Sequence, residues 1–324
     1  MIDTLSAGFQ LVNRAPGLLL IPVLLDLLLW LGPKLSAAGL AERALSRLVP
    51  TVEQLGQEAG PGAADQLDQL HQQVELIRQT AQAFNLLSLL AYRGGWTIRT
   101  AVPAERSGMA GAIEISTVTI LAALAVGLTL VGIALACVWL GALAQHVRDG
   151  RLDAGALIAA APRYWLAILG FLVLATVAAV ALLVPLTMAA VVVQIVAPGS
   201  GAIVGTQFLF WVAVLVGLIF LAFRTEAIVV SEVGPVRAAL NSIRVVASDF
   251  WSSLGFIIIT WVIMSGMGLI WSSLARAPAG QAVAILGNGY IESGLAAASM
   301  LFYRNRITRL TPSRGEAAGA IRQD

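Results

Sequence analysis

The sequence predicts an all-α integral membrane protein. Six transmembrane helices form three units, each an interfacial amphipathic helix followed by two spans, and a helical extracytoplasmic insertion separates spans 1 and 2. Three observations predict this. The residues are 58% hydrophobic and only 12% charged, with a mean hydropathy of +0.85, whereas soluble domains are roughly 25% charged. Between Arg163 and Arg224 there is no Asp, Glu, Lys, Arg or His. That stretch holds two spans of about 20 residues each, separated by Pro198-Gly199-Ser200-Gly201. Finally, a short amphipathic segment leads into a long apolar run at three places: Ile2 to Arg14 before Leu18 to Leu31, Leu152 to Arg163 before Tyr164 to Val184, and Val236 to Asp249 before Phe250 to Ile270.

Residues 1–33 carry the first segment and span 1, which covers 16–33. Ile2, Leu5, Phe9 and Val12 share one helical face, with Asp3, Ser6, Gln10 and Asn13 on the other. Ser36-Ala37-Ala38 resembles a leader cleavage site. A leader is nevertheless not expected, because Arg14 is the single base before the run, Asp3 offsets it, and the run is the first copy of the repeat.

Residues 34–109 form the insertion, polar enough to be aqueous. Thr51-Val52-Glu53-Gln54 fits a capping box and Gly60-Pro61-Gly62 is a break. Leu67, Leu70, Val74, Ile77, Ala81 and Phe84 make a seam of three- and four-residue steps. The expected use of the seam is to pack on a neighbouring helix as a hairpin; the alternative is an intermolecular coiled coil.

The membrane domain, 110–303, holds spans near 115–145, 164–197, 206–223, 250–274 and 280–303, with interfacial helices near 152–163 and 235–249. Helices are required because backbone in hydrocarbon must satisfy its own hydrogen bonds, and these runs lack the alternation of barrel strands. The second and third spans exceed a bilayer core of about 30 Å and are expected to tilt or protrude, with Pro185 kinking the third. In the last amphipathic segment Val236, Ala239, Leu240, Ile243, Val246, Ala247 and Phe250 oppose Arg237, Asn241, Arg244 and Ser248. Residues 304–324 are a cytoplasmic tail, expected to be disordered.

Sidedness follows from the bases. Arg148, Arg151 and Arg163 flank the second connection, Arg224, Arg237 and Arg244 the fourth, and Arg304, Arg306, Arg309 and Arg314 the C-terminus. The third connection has none and the fifth only Arg276. The positive-inside rule then makes both termini cytoplasmic in a bacterial inner membrane, with all three amphipathic segments on the inner face.

The residues that carry chemistry are sparse. Asp26 lies mid-span in Leu24-Leu25-Asp26-Leu27-Leu28, and Glu292 lies in the last span with Asn288 one turn before it. A carboxylate at a helix centre costs about 2.5–3.5 kcal/mol on insertion scales, so both are expected to face the bundle. Read functionally, Asp26, Asn288 and Glu292 are an intramembrane polar site for a proton or cation; read structurally, each carboxylate is held by a local hydrogen bond or reaches toward headgroups. Arg237, Arg244, Arg304, Arg306 and Arg309 are candidate inner-surface contacts to anionic lipid, at about 1 kcal/mol each, or ordinary topology-setting charge. Gly287, Gly289 and Gly294 follow no strand, which argues against a nucleotide loop, while Ser293 with Ala297 and Gly294 with Ala298 are small-xxx-small pairs for helix packing. Cys137 stands alone, so no intrachain disulfide is possible, and His71 and His146 are too far apart for a His-rich metal site. No cofactor, metal or nucleic acid is expected, and no GxSxG, HExxH or Walker A pattern occurs.

Two segments carry a family resemblance. Thr225-Glu226-Ala227-Ile228-Val229-Val230, then Gly234-Pro235-Val236-Arg237-Ala238-Ala239-Leu240-Asn241-Ser242 and Asp249-Phe250-Trp251, resembles the pattern before the fifth span of YciC-like proteins and of the membrane domain associated with glycerophosphoryl diester phosphodiesterases. Ala284 to Tyr290 and Phe302-Tyr303-Arg304 look like the ending of uncharacterised six-span bacterial proteins of that kind, and Pro22 to Asp26 with Trp30 to Pro33 is similar to their opening. The resemblance covers the membrane portion and leaves much of the insertion unmatched. It implies a fold and no activity, since phosphodiesterase chemistry in such relatives resides in a separate barrel of roughly 250 residues, for which there is no room here.

The reading is therefore a non-enzymatic membrane scaffold, assembly or envelope-homeostasis factor. Its partners are membrane lipids and a membrane-protein partner or a second copy of the chain. The alternative is a transporter or permease for a small or amphiphilic solute built on the intramembrane carboxylates. A lipid-modifying enzyme using His146 is a third class, with Asp149 the one carboxylate close to it in sequence.

Overall fold

The computed structural model describes residues 1–58, 64–91, 102, 108–197, 199 and 201–310. Among the described residues four helices are long and apolar enough to cross a membrane, or five if the bent pair at the N-terminus counts as one span.

That pair is α1 (Ile2–Arg14) and, after a 3-10 turn at Pro16–Leu19, α2 (Leu20–Leu31), bent by 98° to one another. The break falls at Ala15, whose φ of −134° and ψ of 68° leave the helical region as a residue before proline tends to, and a hydrogen bond missing just beyond it has a chemical remedy. Pro22 has no N–H to give to the carbonyl of Leu18 four residues back, and the indole N–H of Trp139 donates to that oxygen instead, at 3.1 Å.

The helix α11 (Pro278–Leu310) is the hub: α1, α2, α5 (Val118–Asp149), α8 (Arg224–Val230), α9 (Pro235–Ser248) and α10 (Phe250–Leu274) all pack on it. Its contact with α1 is the most extensive in the molecule. A Cβ on Gly8 would lie 2.5 Å from the Gly294 carbonyl oxygen and 2.7 Å from the Ala298 methyl, and the Phe9 ring sits directly on Gly294. The Gly294/Ala298 pair is thus a helix seat, and α1 spends its apolar face on it: Val12 is buried while Asp3, Ser6, Gln10 and Asn13 stay exposed.

The three amphipathic segments differ in structure. The second is no separate surface helix but the first turns of α6 (Ala154–Val196), one helix of 43 residues through Pro162 and Pro185. At 1.5 Å per residue it is about 64 Å long, twice a hydrocarbon core. It begins where Asp153 accepts a hydrogen bond from the N–H of Ala156, after α5 (Val118–Asp149) has stopped at Gly150, whose φ of 70° needs a residue without a side chain. The third segment, α9 (Pro235–Ser248), is a true separate helix. Its apolar residues split between two directions: Ala238, Val245 and Val246 are buried, whereas Val236, Leu240 and Ile243 point outward beside exposed Arg237 and Arg244. Ser242 pins it. Its hydroxyl donates to the carbonyl of Phe220 and accepts from the N–H of Phe223, bridging the break between α7 (Ala202–Phe220) and α8 (Arg224–Val230).

Burial is uneven along the helices. The core joins the second half of α5, the start of α6, α8, α9 and α11, closed by the stacked rings of Phe223, Phe256 and Phe302, with α10 (Phe250–Leu274) contributing Phe256. By contrast Val126 on α5, Val177 and Val191 on α6, Phe208 and Trp211 on α7 and Trp261 on α10 are exposed, as lipid-facing side chains are.

In the insertion, α3 (Ala38–Glu58) and α4 (Ala64–Ala83) form an antiparallel hairpin, clasped by Arg78 on Glu42 and His71 on Glu53. Leu70, Val74 and Ala81 are half-buried, while Ile77 and Phe84 are exposed, so the seam is only partly covered; the side chain of Leu67 and the Gly60-Pro61-Gly62 break lie outside the described residues. The capping box does not start a helix. Thr51 lies inside α3, its hydroxyl bonded back to the carbonyl of Arg47, and the helix continues past Pro50. A short parallel pair, β1 (Lys34–Ser36) with β2 (Ala112–Glu114), closes the base.

The insertion also re-enters the bundle. The 3-10 helix Leu86–Ala91 buries Leu86, Leu87, Leu90 and Ala91 against α2 and α5. A Cβ on Gly132 would stand 2.5 Å from the carbonyl of Leu89, and Gly132 is about 21 Å along α5 from its start. Irregular backbone at such depth is allowed because protein surrounds it. Treating all of 34–109 as aqueous thus misses residues 86–91 and Val102, which is buried among Leu25, Leu29, Ala284 and Ile285.

Candidate functional site

The structure brings Asp26, Asn288 and Glu292 together where α2 meets α11. Asp26 is fully buried and accepts from the Asn288 amide at 3.3 Å; Asn288 and Glu292, one turn apart on α11, are each 4% exposed. The helices meet closely, with Val23 and Pro22 against Gly289, and Val102 of the insertion closes the junction from the side. These carboxylates lie within a packed interface and not at the rims.

A second buried polar group lies further along α11. Glu226, 6% exposed in α8, accepts a hydrogen bond from Ser299 at 2.5 Å, and its other carboxylate oxygen, Oε2, is buried with no hydrogen-bond partner. One turn beyond Ser299, the fully buried Tyr303 meets the Ser231 hydroxyl at 2.9 Å and also bonds Asn241. In the sequence Glu226 and Tyr303 stand out only through the family resemblance, and Ser299 not at all. The available signal was the pairing of polar residues four apart on α11, 288 with 292 and 299 with 303.

Ser231 adjoins an ionic clasp at the molecular surface. Glu232 bonds Arg148 of α5 at 2.6 Å and the Tyr164 hydroxyl of α6 at 2.9 Å, with Arg163 at 3.8 Å. Its φ of 52° is strained for a residue with a side chain, and these contacts hold it there. The Arg148 guanidinium keeps the Glu232 carboxyl below the usual carboxylate range, against partial burial and with help from Tyr164.

The five arginines proposed to meet lipid separate into two kinds. Arg304 donates to the Val147 carbonyl, and Arg306 bonds Asp249 at 2.9 Å with its guanidinium over the Phe302 ring at 3.5 Å. These two join helices. Arg237, Arg244 and Arg309 are exposed, and the first two flank the outward apolar stripe of α9.

Among the described residues there is no group of three His, Cys, Asp or Glu able to hold a metal ion. His146 bonds the Ala142 carbonyl of its own helix, an ordinary structural use. No protein-family model, curated protein or solved structure matches the chain.

Proposed function

We propose that the chain is a non-enzymatic scaffold, assembly or envelope-homeostasis factor of a bacterial cytoplasmic membrane, kin to YciC-like proteins, with six spans and both termini inside. Its α9 helix holds anionic lipid on the inner face. One observation carries the reading: α9 docks through Ala238, Ser242, Val245 and Val246, yet leaves Val236, Leu240 and Ile243 uncovered beside exposed Arg237 and Arg244. An in-plane helix with an outward apolar stripe and basic flank suits the boundary between acyl chains and anionic headgroups. The sixth span is α11. Its polar residues lower its hydropathy but are buried by six surrounding helices, as membrane helices carrying charge require. The test is the phospholipid retained by purified protein, read by native mass spectrometry. Arg237→Gln with Arg244→Gln is expected to lose anionic lipid, whereas unchanged lipid retention and partner recovery would remove the reading.

The second reading, a transporter for a small or amphiphilic solute, is favoured by the placing of Asp26, Asn288 and Glu292 at one buried junction. Solute flux in proteoliposomes is expected to fall with Asp26→Asn and Glu292→Gln. Flux that survives both unchanged would eliminate this site.

A further inference from the structure

We propose that Glu226 is a proton-binding site inside the bundle, loaded through Tyr303 and Ser231 from the face that carries Glu232. This inference stands apart from the lipid-holding role of α9.

The argument begins with the unused atom. Ser299 supplies a hydrogen bond to one oxygen of Glu226, while Oε2 is buried and has no partner. Much of α8 around it is apolar: Phe223, Ala227, Ile228 and Val229 are at or near zero exposure and Phe302 stacks on Phe223, with Thr225 and Arg224 the polar neighbours on the same helix. A negative charge shared onto an oxygen without a donor in such surroundings is unfavourable, so this carboxyl is a position that takes a proton.

The route follows from hydroxyl groups already in place. Glu232 is at the surface; Ser231 precedes it; Ser231 meets the Tyr303 phenol at 2.9 Å. Tyr303 and Ser299 lie on one face of α11, one turn or about 6 Å apart, and Ser299 meets Glu226. Hydroxyl groups both donate and accept, so with a water bridging Tyr303 and Ser299 this series can pass a proton inward without any group holding a charge on the way. The proton comes from water at the surface and arrives through Ser299 on the oxygen that Ser299 bonds, Oε1, converting the carboxylate to the acid and leaving Oε2 a neutral carbonyl oxygen.

One neighbouring charge bears on the site, and it favours the ionised carboxylate against the burial that opposes it. Arg224 of the same helix is the one charge acting on Glu226, and Tyr303 is the titratable group facing it from α11. Of the charges on the other packed helices, Arg148 and Asp149 on α5, Arg163 on α6, and Arg237 and Arg244 on α9 sit at the surface, and His146 is turned to its own helix.

The experiment uses the full chain in lipid nanodiscs, with infrared difference spectroscopy across an acid–alkaline jump and a pH dye to count protons. Wild type is expected to show a protonated-carboxyl band that Glu226→Gln removes, together with about one more proton of uptake per chain than Glu226→Gln. Glu226→Asp keeps a carboxyl and should shift the band without abolishing it, which separates loss of the site from loss of the fold. Tyr303→Phe should leave the proton count intact but slow uptake about tenfold. A band and proton count unchanged in Glu226→Gln, or Tyr303→Phe loading at the wild-type rate, would overturn the proposal. Arg237→Gln with Arg244→Gln is expected to leave both readouts unchanged, and a lost band there would also count against an independent site.

Discussion

The indole of Trp139 donates its N–H to the carbonyl of Leu18 at 3.1 Å, supplying the hydrogen bond that Pro22 cannot. A residue on α5 thereby completes a broken helix more than a hundred positions earlier in the chain. Trp139→Phe keeps most of the ring's packing but orphans a buried carbonyl, a loss of about 1–3 kcal/mol. A lower melting temperature of the purified protein checks this, while Trp165→Phe, whose partner carbonyl on Leu130 lies in an ordinary helix, should cost less.

At Gly8 the constraint is room. An alanine there drives a methyl into the backbone of Gly294 and Ala298, and overpacking of this kind costs about 1–3 kcal/mol. Gly8→Ala should lower the melting temperature, whereas Gly17→Ala, with open space around its Cβ position, should change it little.

The clasp at Glu232 makes stability depend on pH. Its carboxyl ionises more readily in the folded state than in the unfolded one, because Arg148 favours the charge. The unfolded chain therefore binds more protons in the acid range; the stabilisation is present above the ordinary carboxylate pKa, near 4, and is lost as pH falls through the lower folded value. Glu232→Gln should flatten the acid limb of melting temperature against pH. Asp249, lowered by its bonds to Ser252 and Arg306, should leave a residual slope of the same sign.

Asn85 ties the re-entrant segment to the base of the insertion, its side-chain oxygen accepting from the N–H of both Leu35 and Leu87. Asn85→Ala leaves those donors unmatched beside buried leucines. A loss of about 1–3 kcal/mol and faster proteolysis near residues 86–91 are expected, the latter read by mapping the cleavage products.

Much of the membrane architecture was legible in the sequence because hydrocarbon imposes a simple rule on composition. Residues 164–223 need no structure to be read as apolar helix, and Asp26, Asn288 and Glu292 stand out as polar groups that a span has to bury, as they are. What stayed hidden depended on neighbours distant in sequence. The apolar face of α9 gives one hydrophobic period, yet Val246 faces protein and Leu240 faces outward, and only the position of α8 and α11 separates them. Leu86 to Ala91 is too short to register as a span, so its return into the bundle left no composition signal. The series Glu226, Ser299 and Tyr303 combines two helices far apart in the chain, and neither shows it alone.

The closeness of α1 to α11 bears on how the molecule is made. α1 is synthesised well before its seat, Gly294 and Ala298 on α11. Throughout translation the apolar face of α1 must be sheltered by lipid or by a chaperone, and the bundle locks only when α11 arrives. A chain stopped before residue 294 therefore leaves its opening helix without a mate, a state that membrane quality control can recognise.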